Sequence, residues 1–125
     1  MKMVHTCVRV KDLEASLAFY TKAFGFEEYN RRDFPDYKFT LVYLRLPGDD
    51  YELELTYNYN HEGYELGNGY GHIALTTEEL ESLHAKHKTM GLDVTDLKGL
   101  PGTPLGYYFV TDPDGYKIEV IREGF

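Results

Sequence analysis

Two histidines and two glutamates in this chain stand where they could share chemistry. His5 opens "HTCVR" and His72 opens "HIALT", while Glu54 lies in "ELELTYN" and Glu119 in "DPDGYKIEV". Glu54 follows His5 by 49 residues and Glu119 follows His72 by 47 (54 − 5 and 119 − 72). Two imidazoles with two carboxylates make an N₂O₂ donor set for a divalent metal. Taken singly, each residue has a plainer reading. A polar side chain alternating with apolar ones in a strand is usually solvated, because antiparallel sheets commonly face water on one side. Recurrence at matching places in two segments sets the metal reading beside the plain one.

The elements that must position these residues also repeat. When His5 is aligned with His72, Leu13 falls on Leu80 and Glu14 on Glu81. Each half opens with a short strand that begins at histidine, and a helix follows. The first helix is expected from an Asp12 N-cap, with Leu13, Leu17, Tyr20 and Phe24 at helical spacing and Gly25 as its stop. The second is expected near Thr76 or Thr77, with Thr76 and Glu79 as a capping box and Leu80, Leu83, His87 and Met90 following to Gly91. Strands are then expected at about 27–31, 38–46 and 51–57, and again at about 93–97, 107–111 and 116–122. "LPGDD" and "DPDG" are the turns before the last strand of each half. Each half therefore reads βαβββ. The fold class is α+β, a single domain over 1–125 built of modules at about 1–58 and 70–125. A polar, Gly-containing loop at about 59–69 joins them.

Strand parity places the polar residues. His5, Cys7 and Arg9 share one face of the first strand. Glu52, Glu54, Thr56 and Asn58 share one face of theirs, opposite Tyr51, Leu53, Leu55 and Tyr57. Glu119 points away from Ile118 and Val120. If the halves form a sheet that curls into a cleft, His5, Glu54, His72 and Glu119 can all face it. His84 and His87 read as helix-packing or surface residues, and His61 as a solvated loop residue.

Composition narrows the partners. Net charge is −8 with no basic cluster, which argues against nucleic acid. An anionic substrate then needs a local basic residue. The chain has no long apolar run, so no membrane span is expected. Strand-like sequence follows Met1 at once, without a signal-peptide pattern. The one cysteine, Cys7, has no internal partner for a disulfide. A reduced, cytoplasmic protein is expected.

"HTCVRVKDLEASLAFYTKAFGF", "ELELTYN", "GYGHIAL" and "DPDGYKIEV" resemble the glyoxalase I (lactoylglutathione lyase) family of the vicinal oxygen chelate superfamily, in its compact bacterial type. The resemblance runs in order along nearly the whole chain. It implies paired βαβββ modules in an open, cup-shaped mixed sheet, and a homodimer with metal sites at the subunit interface. The residues matching the family's ligands are His5, Glu54, His72 and Glu119, the first two from one chain and the others from its partner. Ni²⁺ or Co²⁺ is the implied metal, with Zn²⁺ possible.

The implied reaction is methylglyoxal detoxification. The hemithioacetal of methylglyoxal and glutathione is isomerised to S-lactoylglutathione by proton transfer through an enediolate. Bound metal stabilises the developing charge, and a carboxylate carries the proton. By resemblance Glu119 is that base, releasing the metal when substrate binds, and Glu54 is its counterpart. Arg9 and Asn58 match positions that hold glutathione, and Thr56 shares their strand face. The chain departs from the family pattern in "LDVTDLKGLPGTP", where a basic residue is usual and Asp96 aligns. Lys98 is the nearby substitute, and another low-molecular-weight thiol stays open. The alternatives are another metal-dependent enzyme of the superfamily (epimerase, dioxygenase or thiol transferase) and a metal-free drug-binding dimer.

Overall fold

The computed structural model describes residues 1–125. The chain divides into two compact units, Met1–Glu65 and Leu66–Phe125. In unit 1 the elements are β1 (His5–Arg9), α1 (Leu13–Phe24), β2 (Glu27–Phe34), a 3₁₀ turn (Pro35–Tyr37), β3 (Phe39–Arg45) and β4 (Glu52–Asn58). In unit 2 they are β5 (Ile73–Thr77), α2 (Leu80–Thr89), β6 (Tyr107–Thr111) and β7 (Lys117–Arg122).

Each unit is a helix with a mixed sheet. The sheet of unit 1 has four strands in the order β1-β4-β3-β2, and that of unit 2 has three in the order β5-β7-β6. In both, the first strand pairs in parallel with the last, and the remaining pairs are antiparallel. A parallel pair needs a crossover long enough to hold a helix, which α1 and α2 supply.

The first helix follows its local signals. Asp12 Oδ1 accepts a 3.0 Å hydrogen bond from the Ala15 N–H. At the other end Gly25 adopts φ 78°, and the Gly25 and Phe26 N–H groups bond back to Thr21 and Tyr20. The helix buries Leu13, Ser16, Phe19, Tyr20 and Ala23. The sheet of this unit buries Val8, Val10, Val42, Leu44, Leu53 and Leu55. Leu17 and Phe24, taken from the periodicity as core positions, are only half-buried.

The second helix starts later than its sequence suggests. Thr76 and Thr77 belong to β5, paired with Ile121 and Arg122 of β7, and the helix begins at Leu80. Thr76 and Glu79 therefore form no capping box. The Thr77 hydroxyl instead accepts from the Glu79 N–H at 3.0 Å. Sheet pairing outweighs the local helix signal here, because parallel strands need those backbone groups.

A strand expected at about 93–97 is reduced to two isolated bridges, Val94 with Val110 and Lys98 with Tyr107. The reason lies in one side chain. The Phe109 N–H donates to Thr95 Oγ1 at 2.9 Å rather than to a carbonyl, which interrupts the ladder.

The two helix histidines are packing residues. His84 Nε2 donates to the Thr95 carbonyl at 2.8 Å, tying α2 to this bridged segment. His87 Nδ1 shares a 2.9 Å hydrogen bond with the Tyr108 hydroxyl, and both side chains are fully buried. Burial pushes the Tyr108 hydroxyl far above its ordinary value. A group whose pKa is raised on folding stabilises fully below its unfolded value and ceases to as pH rises past it. Stability should therefore hold up to about pH 10, the ordinary tyrosine value, and fall above it. Urea midpoints between pH 8 and 11 test this, and Tyr108→Phe should flatten that part of the profile.

Candidate functional site

The structure brings His5 and Glu54 together in unit 1. His5 lies on β1, paired in parallel with β4, which carries Glu54. Their Nε2 and Oε2 atoms are 3.2 Å apart. Unit 2 repeats this with His72, one residue before β5, and Glu119 on β7, whose Nε2 and Oε2 are 2.6 Å apart. In both pairs the histidine is exposed at its rim while the carboxylate is largely covered.

The frames around the pairs correspond strand by strand. Glu54 faces Cys7 on β1 and Tyr43 on β3, and Glu119 faces Ala74 on β5 and Phe109 on β6. Tyr43 presents a ring edge to His5, with centroids 6.0 Å apart, and Phe109 does the same to His72 at 5.0 Å. Sequence alone does not place these aromatic walls. The alternation in "FTLVYLR" puts Tyr43 opposite Val42 and Leu44, but only the strand register brings it to Glu54.

Chemically the two frames differ. Thr56 Oγ1 donates to Glu54 Oε1 at 3.0 Å, and Cys7 Sγ lies 3.2 Å from the same hydroxyl. Glu54 is thus clamped in a polar setting. Burial lifts the Cys7 thiol above its ordinary range, opposed by the Thr56 hydrogen bond and aided by the Glu54 charge. Burial also lifts the Tyr43 hydroxyl, with the Glu54 carboxylate adding to the shift. Glu119 has no such clamp. Its cross-strand neighbours are Ala74 and Phe109, Ile121 follows two residues along, and His72 is its hydrogen-bonding partner.

The turn that launches β7 is built by Asp112. Its Oδ1 accepts from the Asp114 and Tyr116 N–H groups at 2.9 Å each, and Gly115 takes φ 99°. Asp112 itself is buried. An Asx turn of this kind sets where the strand begins, and so the face on which Glu119 emerges.

The remaining expected site residues are distributed as follows. Arg9 stands opposite Thr56 in the β1–β4 register and is exposed. Asn58 ends β4, where its Nδ2 donates to the Tyr64 hydroxyl at 2.9 Å. Tyr64 stacks on His61, with ring centroids 4.1 Å apart. Lys98 lies in unit 2 before β6, exposed, with its backbone engaged by Gly106 and Tyr107. Its contacts are with that loop and not with His72 or Glu119.

Each His–Glu pair suits a metal ion as two adjacent donors of its coordination shell. Adjacent donors on an octahedral ion with bonds near 2.1 Å lie about 3 Å apart, and the observed 3.2 and 2.6 Å bracket that spacing. No group of three or more His, Cys, Asp or Glu donors forms within either unit. Each unit therefore offers two ligands.

Comparison with known proteins adds the family. Residues 2–120 match the model of the Glyoxalase/Bleomycin resistance protein/Dioxygenase superfamily. The lactoylglutathione lyase of Escherichia coli O157:H7 is 40% identical over 126 residues, spanning 98% of this chain and 93% of that protein. The lactoylglutathione lyase of Neisseria meningitidis serogroup A is 41% identical over 128 residues, spanning 98% and 91%. Among solved structures, the trypanothione-dependent glyoxalase I of Leishmania major is 38% identical with a TM-score of 0.86, covering 98% of this chain and 87% of that one. The chain belongs to the glyoxalase/bleomycin resistance protein/dioxygenase superfamily and, within it, to the lactoylglutathione lyase family.

Proposed function

We infer that the chain is a metal-dependent lactoylglutathione lyase, which isomerises the hemithioacetal of methylglyoxal and glutathione to S-lactoylglutathione. One observation carries this reading: the same His–Glu pair, at the start of the first strand and on the last strand of a parallel pair, recurs in both units of a chain from this family. His5 and Glu54 of one copy, with His72 and Glu119 of a second, would hold the ion in a homodimer. Two donors in each unit support that arrangement, because a single pair is too few for a tight divalent site. Nickel or cobalt is the metal we assign, from the family resemblance; the donor set of imidazole and carboxylate is compatible with either and with zinc. When bound, the ion draws electron density from the substrate oxygens and makes the adjacent C–H more acidic.

The chain's own residues carry the proton. Glu119 removes it from C1, and the C–H electron pair passes into an enediolate. Glu119 then returns the proton to C2, and the C1 hydroxyl proton passes to the C2 oxygen with Glu54 as the exchanging group. C1 is oxidised to the thioester level and C2 is reduced from carbonyl to alcohol, so no co-reactant is needed. Glu119 suits a base that must move, since its cross-strand neighbours are apolar and His72, itself a proposed metal ligand, is its hydrogen-bonding partner. Glu54, held by Thr56, suits a stationary ligand and a secondary proton site. Arg9 and Asn58 would bind the glutathione moiety, with Arg9 supplying the positive charge that a net charge of −8 otherwise withholds. Thr56 would act through Glu54, and Lys98 would serve the carboxylate for which Asp96 is unsuited. Glutathione is the thiol we assign, although a relative from Leishmania is trypanothione-dependent. The unpaired Cys7 thiol fits a reducing, cytoplasmic setting.

Metal removal tests the reading. Stripped protein with methylglyoxal and glutathione should show only background thioester absorbance. Adding Ni²⁺ or Co²⁺ should restore turnover by at least about 10²-fold, and Zn²⁺ by less. A stripped protein that takes up no divalent ion would sink the proposal.

A further inference from the structure

A second polar site adjoins His5. A cavity of about 310 Å³ opens in unit 1, lined in part by His5, Tyr29, Asn30, Arg32, Tyr43 and Arg45. It begins at the proposed metal ligand and its aromatic wall and runs outward over β3 to β2. Two guanidinium groups line it, and their states differ. Arg45 is occupied: its Nε donates to Glu52 Oε2 at 3.1 Å, and its guanidinium lies 3.4 Å from the centre of the Tyr29 ring. Arg32 is available. It rests 5.3 Å from the centre of the Phe34 ring and has no carboxylate within ion-pair distance.

The strand register explains what such a cation faces. Arg9 pairs with Thr56, Thr56 with Leu41, and Leu41 with Arg32. Arg9 and Arg32 thus stand on one cross-strand row at opposite edges of a four-stranded sheet. Three strand spacings separate their backbones by about 14 Å. Glu54 lies two residues along β4 from that row, between the strands that carry the two arginines, and His5, four residues along β1 from Arg9, lines the same cavity as Arg32. A substrate anchored by Arg9 and reacting at His5 and Glu54 would therefore extend its other arm toward Arg32. An unpaired guanidinium beside an open cavity can receive a carboxylate through paired N–H···O bonds of fixed geometry.

We propose that this cavity is a subsite for a carboxylate-bearing arm of the substrate, recognised by Arg32. The proposal rests on the lactoylglutathione lyase reading and deepens it. Its source is either the aldehyde-derived substituent on sulfur or the glycine carboxylate of the thiol. A chain using the first would accept 2-oxoaldehydes that carry an acidic group as well as methylglyoxal.

Calorimetric titration of the protein as purified, and of Arg32→Gln and Arg32→Lys, tests this. The ligands are S-(carboxymethyl)glutathione and its neutral S-(carbamoylmethyl) isostere, then S-methylglutathione and its glycine amide. For an aldehyde-derived arm, the protein should bind the carboxymethyl compound about tenfold more tightly than its isostere. Arg32→Gln should abolish that preference, and Arg32→Lys should retain part of it. If Arg32→Gln instead abolishes a preference for the free glycine carboxylate over the amide, the subsite stands with the thiol as its source. Ratios in both ligand pairs that Arg32→Gln leaves unchanged would overturn the subsite alone. Failure of every S-substituted glutathione to bind would overturn the enzyme reading beneath it.

Discussion

Glu119→Gln is expected to lower kcat by about 10³-fold while metal uptake persists. The amide keeps the size of the carboxylate and a carbonyl oxygen able to face an ion, but it cannot accept a proton from carbon. Removing a positioned general base from a carbon acid typically costs 10²–10⁴-fold. The companion change, Glu54→Gln, should cost less in kcat. Glu54 is fixed by the Thr56 hydroxyl at 3.0 Å, so its amide still has a partner and its geometry changes little. Initial rates of thioester formation, measured beside metal content for each variant, separate the two roles. Equal losses for Glu54→Gln and Glu119→Gln would contradict the assignment of Glu119 as the principal base.

That difference between two like carboxylates was only half legible in the sequence. The repeat is visible as letters: histidine, helix, turn and glutamate at near-equal separations. It is strong because it joins chain-distant residues of the same type, which local propensity alone does not produce. The surroundings are not visible in the same way. Cys7 already falls on Ala74 when His5 is aligned with His72, but Tyr43 matches Phe109 only once β3–β4 and β6–β7 are in register. Registers arise from pairing between strands tens of residues apart, on which a one-strand pattern is silent.

Local reading failed for the same reason at two other places. Thr76 has the chemistry of a helix cap, yet β7 claims it for the sheet. The segment 93–97 has strand composition, yet the Thr95 hydroxyl takes the N–H that a ladder would need. Where a local signal met no competitor, as at Asp12 and Gly25, the helix ends fell where the residues put them.

The largest expected loss of stability follows Tyr20→Ala, at about 3–5 kcal/mol in urea unfolding. Tyr20 is fully buried on α1. Its ring meets Phe19 edge-on at 4.9 Å, Phe26 edge-on at 5.7 Å and Phe24 at 6.4 Å. Truncation removes a large ring from the middle of this cluster and leaves a void that neighbouring rings fill only in part. The loss should reach the chemistry as well, because the buried side of the same unit supports the strands that carry His5 and Glu54. Tyr37→Ala is the control. Tyr37 is exposed, and its replacement should move the midpoint by no more than about 0.5 kcal/mol. Similar midpoints for the two variants would show that the aromatic cluster contributes little.

The parallel pairing of first and last strands has a consequence for how the protein comes into being. In each unit the histidine is made first and its glutamate almost last, 49 and 47 residues later (54 − 5 and 119 − 72). A nascent chain that has emerged only as far as Arg45 carries His5 but no Glu54 to meet it. Such a pair is among the most non-local contacts of its unit, and contacts of that kind form late because the intervening chain must be ordered first. An ion is therefore no template for this fold. On the proposed ligand set it can be captured only by a unit whose final strand has docked, so that occupancy would double as a certificate that the unit has folded.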